Sequence, residues 1–147
     1  MEQFREFFNP LPGCHFLHVT LKKNEITSAL QDMVDSVGGD LKVVEYDGIS
    51  NHLDKPFRTP PRDKDVVVLQ DIFSSHKTPQ MLLKISYTTL ANTAEIIILE
   101  KKGKVDTTQI KQLLLDYEFR TPNYVSDVLE GYDLIVAKKM HMWGNGL

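Results

Sequence analysis

Two short apolar runs constrain the fold of this chain more than any other feature. They are Val66–Leu69 in "DVVVLQ" and the isoleucine run of "AEIIILE", residues 94 to 100. A strand with one wet face alternates apolar and polar residues. An unbroken run of this length suits a strand covered on both faces, as in a parallel sheet flanked by helices. The helices are legible around them. In "EITSALQDMVDSV", 25 to 37, Ile26, Ala29, Leu30, Met33, Val34 and Val37 form one continuous helical stripe. Asn24 supplies an N-cap and Gly38-Gly39 a stop. Pro79 suits the first turn of a second helix, to Leu90, with Met81, Leu82, Ile85 and Thr89 inward. A third helix spans 107 to 117, with Ile110, Leu113, Leu114 and Tyr117 inward.

Further strands are expected at "HFLHVTL", 15 to 21, and "LKVVEYD", 41 to 47. The closing "NYVSDVLEGYDLIVAKKM" reads as two strands around a tight Glu130-Gly131 turn, hence an antiparallel hairpin. Residues 48 to 64 hold Pro56, Pro60 and Pro61 without periodicity and read as a loop. Residues 1 to 15 are aromatic-rich, then broken by prolines, and form an N-terminal extension that covers an edge of the core. The order is β-α-β-loop-β-α-β-α-β-β, a mostly parallel six-stranded α/β sheet with an antiparallel C-terminal hairpin. Residues 1–147 suit one domain. The expected core is Ile26, Leu30, Met33, Val37, Val43, Val67, Ile97, Leu114 and Ile135.

Charge narrows the partners. There are 17 basic and 20 acidic residues, a net charge of −3, and no basic face to grip phosphates, so nucleic acid is not expected. A single cysteine, Cys14, excludes an internal disulfide, and no Cys/His spacing suggests zinc. His15 and His18 lack an evident third metal ligand. No signal peptide is apparent, and apolar runs of four or five residues are too short to span a membrane, so a cytoplasmic protein is expected.

Residues 55 to 103, "KPFRTPPRDKDVVVLQDIFSSHKTPQMLLKISYTTLANTAEIIILEKKG", resemble the central half of class I S-adenosylmethionine-dependent methyltransferases, and the likeness extends over about 41 to 140. Pro56-Phe57, Asp65-Val66-Val67, His76 and Ile96 to Glu100 match family positions in order and spacing, as does "YDLIVAKK" at the end. The resemblance implies a Rossmann-like methyltransferase fold and S-adenosylmethionine as cofactor. Three departures stand against it. The family's Gly-x-Gly turn after the first strand is "LHVTLKKNE" here, so Lys22, Lys23 and Asn24 fill space that glycine leaves open. The Pro-Gly-Gly turn before the fifth strand is "ANTAE". The span from Tyr46 to Asp65 is too short for the usual helix and third strand, so that edge strand is expected to be missing.

On this resemblance, Glu45 and Asp47 at the end of the second strand are candidates for the ribose hydroxyls. Lys22 and Asn24 line the cofactor turn, in a site their side chains would occlude. Asp71 and His76, after the fourth family strand, are the candidate catalytic groups: Asp71 to take a proton, His76 to act as base or orient a substrate. Each also has an ordinary reading, as a turn cap or a solvated strand end. Lys22 or Lys23 is expected to neutralise Glu45 or Asp71, and an ammonium beside a sulfonium is repulsive by a few kcal/mol at about 5 Å in an effective dielectric of about 20. Two functions stay open. One is a degenerate, non-catalytic binding or interaction module, without cofactor, for a protein or small-molecule partner. The other is an active small methyltransferase. The shortened sheet edge could pair with a second copy, and Trp143 in the closing "HMWGNGL" could anchor a partner or fold back on the hairpin.

Overall fold

The computed structural model describes residues 1–46, 60–75 and 78–140. Asp47, His76 and Trp143 therefore lie outside the described residues, as does most of the proline-rich span. The elements are α1 (Glu2–Phe7), β1 (His15–Thr20), α2 (Glu25–Asp35), β2 (Asp40–Glu45), β3 (Lys64–Gln70), α3 (Pro79–Thr89), β4 (Leu90–Lys101), α4 (Thr107–Asp116), β5 (Phe119–Val125) and β6 (Tyr132–Lys139). The six strands form one sheet in the order β2-β1-β3-β4-β6-β5. β1 to β4 are parallel, and β6 is inserted antiparallel between β4 and β5. Among the described residues β2 forms the edge, beside β1 alone.

The apolar runs do what their composition demands. Val67, Leu69, Ile96 and Ile98 point to one face, where Leu83 of α3 and Leu114 of α4 cover them. Val68, Ile97 and Leu99 point to the other, with Phe16, Leu30 and Val34. The stripe of α2 lies on this second face, and Ile26, Leu30 and Met33 are buried as expected. Val37 and Val43 are only half-buried, because one follows the helix and the other stands on the edge strand. Phe4 is fully buried and Phe8 lies 6.0 Å from the Phe16 ring, so these two phenylalanines pack onto the α2-side core while most of residues 1 to 15 stay exposed.

Local chemistry sets the ends of α2. Asn24 Oδ1 accepts the Ile26 N–H, and Thr27 Oγ1 accepts the Asn24 N–H, a reciprocal cap. Gly38 takes φ +68°, and the Gly39 N–H reaches back to the Val34 carbonyl at 2.8 Å. A Cβ on Gly39 would stand 2.5 Å from the Cys14 carbonyl oxygen, so glycine is also needed for β2 to approach β1.

Three boundaries differ from expectation. β5 begins at Phe119, before Pro122, because an edge strand with a bulge between Arg120 and Asn123 tolerates a proline. The β5–β6 connection is a longer loop rather than a tight turn, since Val128 and Leu129 fold back onto the α2-side core. β4 starts at Leu90 and bulges before Glu95. There Thr93 holds φ +70°, a left-handed backbone at the place where the resembling family carries glycine.

Candidate functional site

Parallel strands of an open sheet bring their carboxyl ends to one edge, where ligands of such folds bind. Here that edge collects Thr20 from β1, Glu45 from β2, Gln70 from β3 with Asp71 just after it, and Glu100 from β4. Because β6 runs the other way, its first residue, Tyr132, joins them.

Their centre is a buried polar chain between α2 and the sheet. His18 and Gln70 are 0% and 2% exposed. The Thr27 hydroxyl pairs with His18 Nδ1 at 3.2 Å, and His18 Nε2 with Gln70 Oε1 at 2.8 Å. Gln70 Nε2 donates to the Tyr132 hydroxyl at 3.2 Å, which donates to Asp71 Oδ2 at 3.0 Å. Tyr132 reaches across β4, which separates β3 from β6. Only one proton placement satisfies every link. Gln70 Oε1 must accept, so His18 carries its proton on Nε2, and Nδ1 accepts from Thr27. The Thr20 hydroxyl and the Asn24 amide also donate to Gln70 Oε1, at 3.4 and 3.2 Å.

Burial governs the titrating groups. Desolvation pushes the His18 pKa down to about 4, although the Gln70 hydrogen bond partly opposes it. His18 is therefore neutral at pH 7. Glu100 is 1% exposed. Its Oε2 accepts the Phe73 N–H at 3.0 Å, while Oε1 is buried without a hydrogen bond among the described residues. Desolvation raises its pKa and the Asp71 charge adds to this, while hydrogen bonds to Ser74 and Phe73 work against it. Desolvation also raises the Tyr132 phenol, with Asp71 and Glu100 contributing in the same direction.

Asp71 itself has φ +59°, uncommon for a residue with a side chain. Its N–H extends the ladder to the Leu99 carbonyl at 2.9 Å, and its carbonyl accepts the Ser75 hydroxyl at 2.7 Å. The stretch after β3 is thus anchored rather than simply polar, with Ile72 and Phe73 buried in the α3-side core.

Of the sequence candidates, Asp71, Asn24, Lys22 and Glu45 all lie at this edge. Asn24 spends its side chain on the cap of α2, on Gln70 and on the Lys22 carbonyl, 2.7 Å away. Glu45 Oε2 accepts the Lys23 backbone N–H at 3.1 Å. This corrects the expectation that a lysine ammonium neutralises Glu45 or Asp71. The peptide N–H makes the contact, and neither the Lys22 nor the Lys23 ammonium has an ion-pair partner among the described residues. His15 and His18 do not converge on a metal. They are three apart on a strand, His15 is exposed against Asp40, and no metal-ligating cluster occurs among the described residues. No described helix is long and apolar enough to cross a membrane.

Sequence reading did not bring together His18, Thr20, Thr27, Gln70, Glu100 and Tyr132. A signal existed for two of them. His18 shares strand parity with buried Phe16, and Gln70 with Val66 and Val68, so both polar side chains were bound to face α2.

No family model and no curated protein matches the chain. Solved structures do, and they carry the class I methyltransferase fold. A SAM-dependent methyltransferase from Aquifex aeolicus superposes with a TM-score of 0.74 at 15% identity, over 93% of this chain and 87% of that one. A chain from the complex of the Haloferax volcanii Trm112 methyltransferase activator and the putative methyltransferase gives 0.70 at 10% identity, over 95% and 88%. Haemonchus contortus phosphoethanolamine N-methyltransferase 2, solved with S-adenosylhomocysteine, gives 0.67 at 11%, over 95% of this chain and 52% of that one. This chain thus spans most of the first two and about half of the third. At these identities the likeness is one of fold, with the β4-β6-β5 antiparallel end included.

Proposed function

We propose that residues 1–147 form a methyltransferase-fold module that binds a partner without transferring a methyl group from S-adenosylmethionine. The observation that carries this reading is the closure of the β1–α2 turn. Lys23 donates to Glu45, and Thr20, Asn24 and Gln70 satisfy one another. A crevice built for adenosine and methionine groups would keep donors and acceptors in reserve for them. Among residues 20–24, 45 and 70 no buried side-chain polar atom is left without a partner. The residues at the turn thus fit the cofactor poorly, since side chains stand where the resembling family has glycine. The described edge strand β2 offers a surface for strand pairing with a second copy. The complex with an activator protein in one structural neighbour is a precedent for a protein partner.

A second reading, an active small methyltransferase, draws on Asp71. A carboxylate that receives the Tyr132 hydroxyl and lies beside a buried glutamic acid could accept the proton released by methyl transfer. Calorimetric and thermal-shift titration with S-adenosylmethionine and S-adenosylhomocysteine separates the two. The first reading expects no heat and no shift at millimolar ligand. Binding at a hundredth of the ligand concentration would stabilise the fold by about 2.7 kcal/mol and would overturn it.

A further inference from the structure

We propose that a second site lies at the opposite, amino edge of the sheet and takes an amphipathic organic cation, an ammonium group on an aryl or alkyl body. A cavity of about 540 Å³ opens there. That volume is within the range of small-molecule pockets, roughly 300–1,000 Å³. Phe7 of α1, Phe8 just after it, Phe16, Val66 and Ile97 give it apolar walls. Along β3 the lining residue Val66 stands four residues, about 13 Å, from Gln70, while on β1 the lining residue Phe16 is two residues from His18. The two sites use different residues, at opposite ends of the strands.

The charge of the ligand follows from the polar lining. Asp65 and Glu95 contribute carboxylates. Asp65 is held in place by the His15 backbone N–H at 2.8 Å on its Oδ2. Glu95 is half-buried and makes no hydrogen bond or ion pair among the described residues. Lys138 faces Glu95 across the β4–β6 ladder, yet closes no ion pair with it. Among the described lining residues His15 is the one basic side chain, and its ring is committed to Asp40. Two carboxylates against one imidazole that already faces Asp40 give the described lining a negative field, which a ligand cation fits. An anion would meet two like charges. The faces of Phe7 and Phe8 add attraction for an ammonium, about 0.5–1 kcal/mol at such sites.

The rim carries a further mark. Thr93 lines the cavity at φ +70°. A β-branched residue in the left-handed region is strained, and such strain gathers at ligand sites. It sits in the bulge that presents Glu95.

Three probes of one shape test the charge rule: 4-phenylbutylamine, 4-phenylbutanol and 4-phenylbutyrate, titrated into the ¹⁵N-labelled full chain. The amine should move the amide signals of Phe7, Phe8 and Asn92 to Glu95 saturably, and the acid should bind at least about tenfold more weakly. Glu95→Gln, at a half-exposed position that tolerates change, should cut amine affinity by about tenfold, equivalent to about 1.4 kcal/mol. The proposal is overturned by no saturable shift at millimolar amine, by equal binding of amine and acid, by an unchanged affinity in Glu95→Gln, or by shifts confined to His18, Gln70 and Tyr132.

Discussion

Acidification should destabilise this protein through His18. The imidazole is fully buried, and its pKa is lowered from 6.5 to about 4. The unfolded chain therefore takes up the proton near pH 6.5, while the folded chain resists it until about pH 4. Between those values the unfolded state binds more protons, so stability falls as pH falls, by up to about 1.4 kcal/mol per unit. Integrated over the window, the loss attributable to His18 is about 3 kcal/mol. Above pH 6.5 the contribution is complete, and below about pH 4 nothing more is lost. Glu100 works in the opposite sense, because a carboxyl whose folded pKa is raised destabilises the fold above that pKa. The experiment must therefore compare the wild type with His18→Gln, in which only the histidine term is absent. Urea unfolding at intervals from pH 7 to pH 4 gives both curves, and the difference between them isolates His18. The variant should be less stable at pH 7, since Thr27 and Gln70 lose a matched partner, but its curve should be flatter on the acid side. NMR titration of the His18 ring supplies the check on mechanism. Parallel curves, or a ring that titrates above about pH 6, would refute the reasoning.

Two other outcomes follow from the same packing. Ile97 is 1% exposed at the centre of the sheet, so Ile97→Ala should cost about 2–5 kcal/mol in chemical denaturation, and a loss under about 1 would mean β4 is not central. Tyr132→Phe removes the link between buried Gln70 and Asp71; leaving the Gln70 N–H unpaired should cost about 1–3 kcal/mol, measured the same way, and no loss would mean water replaces the phenol.

The sheet was legible because its evidence is periodic. Val66–Leu69 and Ile96–Leu99 have no polar face, the α2 stripe has one, and the two patterns admit few topologies. The β5 start was hidden by Pro122, which ordinarily argues against a strand, and only edge position and a bulge make it admissible. The site was legible in part. Asp71, Glu45, Lys22 and Asn24 stand at strand ends or turns, where polar residues attract attention. His18, Gln70 and Tyr132 converge from β1, β3 and β6, and their partnership depends on register, which a single sequence does not carry. For the same reason the Lys23 contact to Glu45 was misjudged, since charge is visible in a sequence and the direction of a peptide N–H is not.

The chain at Gln70 and the closure of the turn are two sides of one arrangement. Gln70 Oε1 accepts from His18, Thr20 and Asn24, and Asn24 at the same time caps α2. Glycines at the turn would let a ligand approach the backbone, but they carry no group to donate to Gln70. A buried amide oxygen deprived of donors costs about 1–3 kcal/mol, and a lost N-cap about 1 more. Residues that satisfy the interior therefore occupy the space that a backbone-hugging ligand would use. On the reading proposed above, this chain has moved the binding energy of its carboxyl edge into its own fold. Lys22 is the exception. Its side chain takes no part in the buried chain, and its carbonyl, which receives the Asn24 amide, belongs to any residue at that position. Room at the turn can therefore be gained at Lys22 without dismantling the interior, whereas at Asn24 the same gain would remove the cap and a Gln70 donor together.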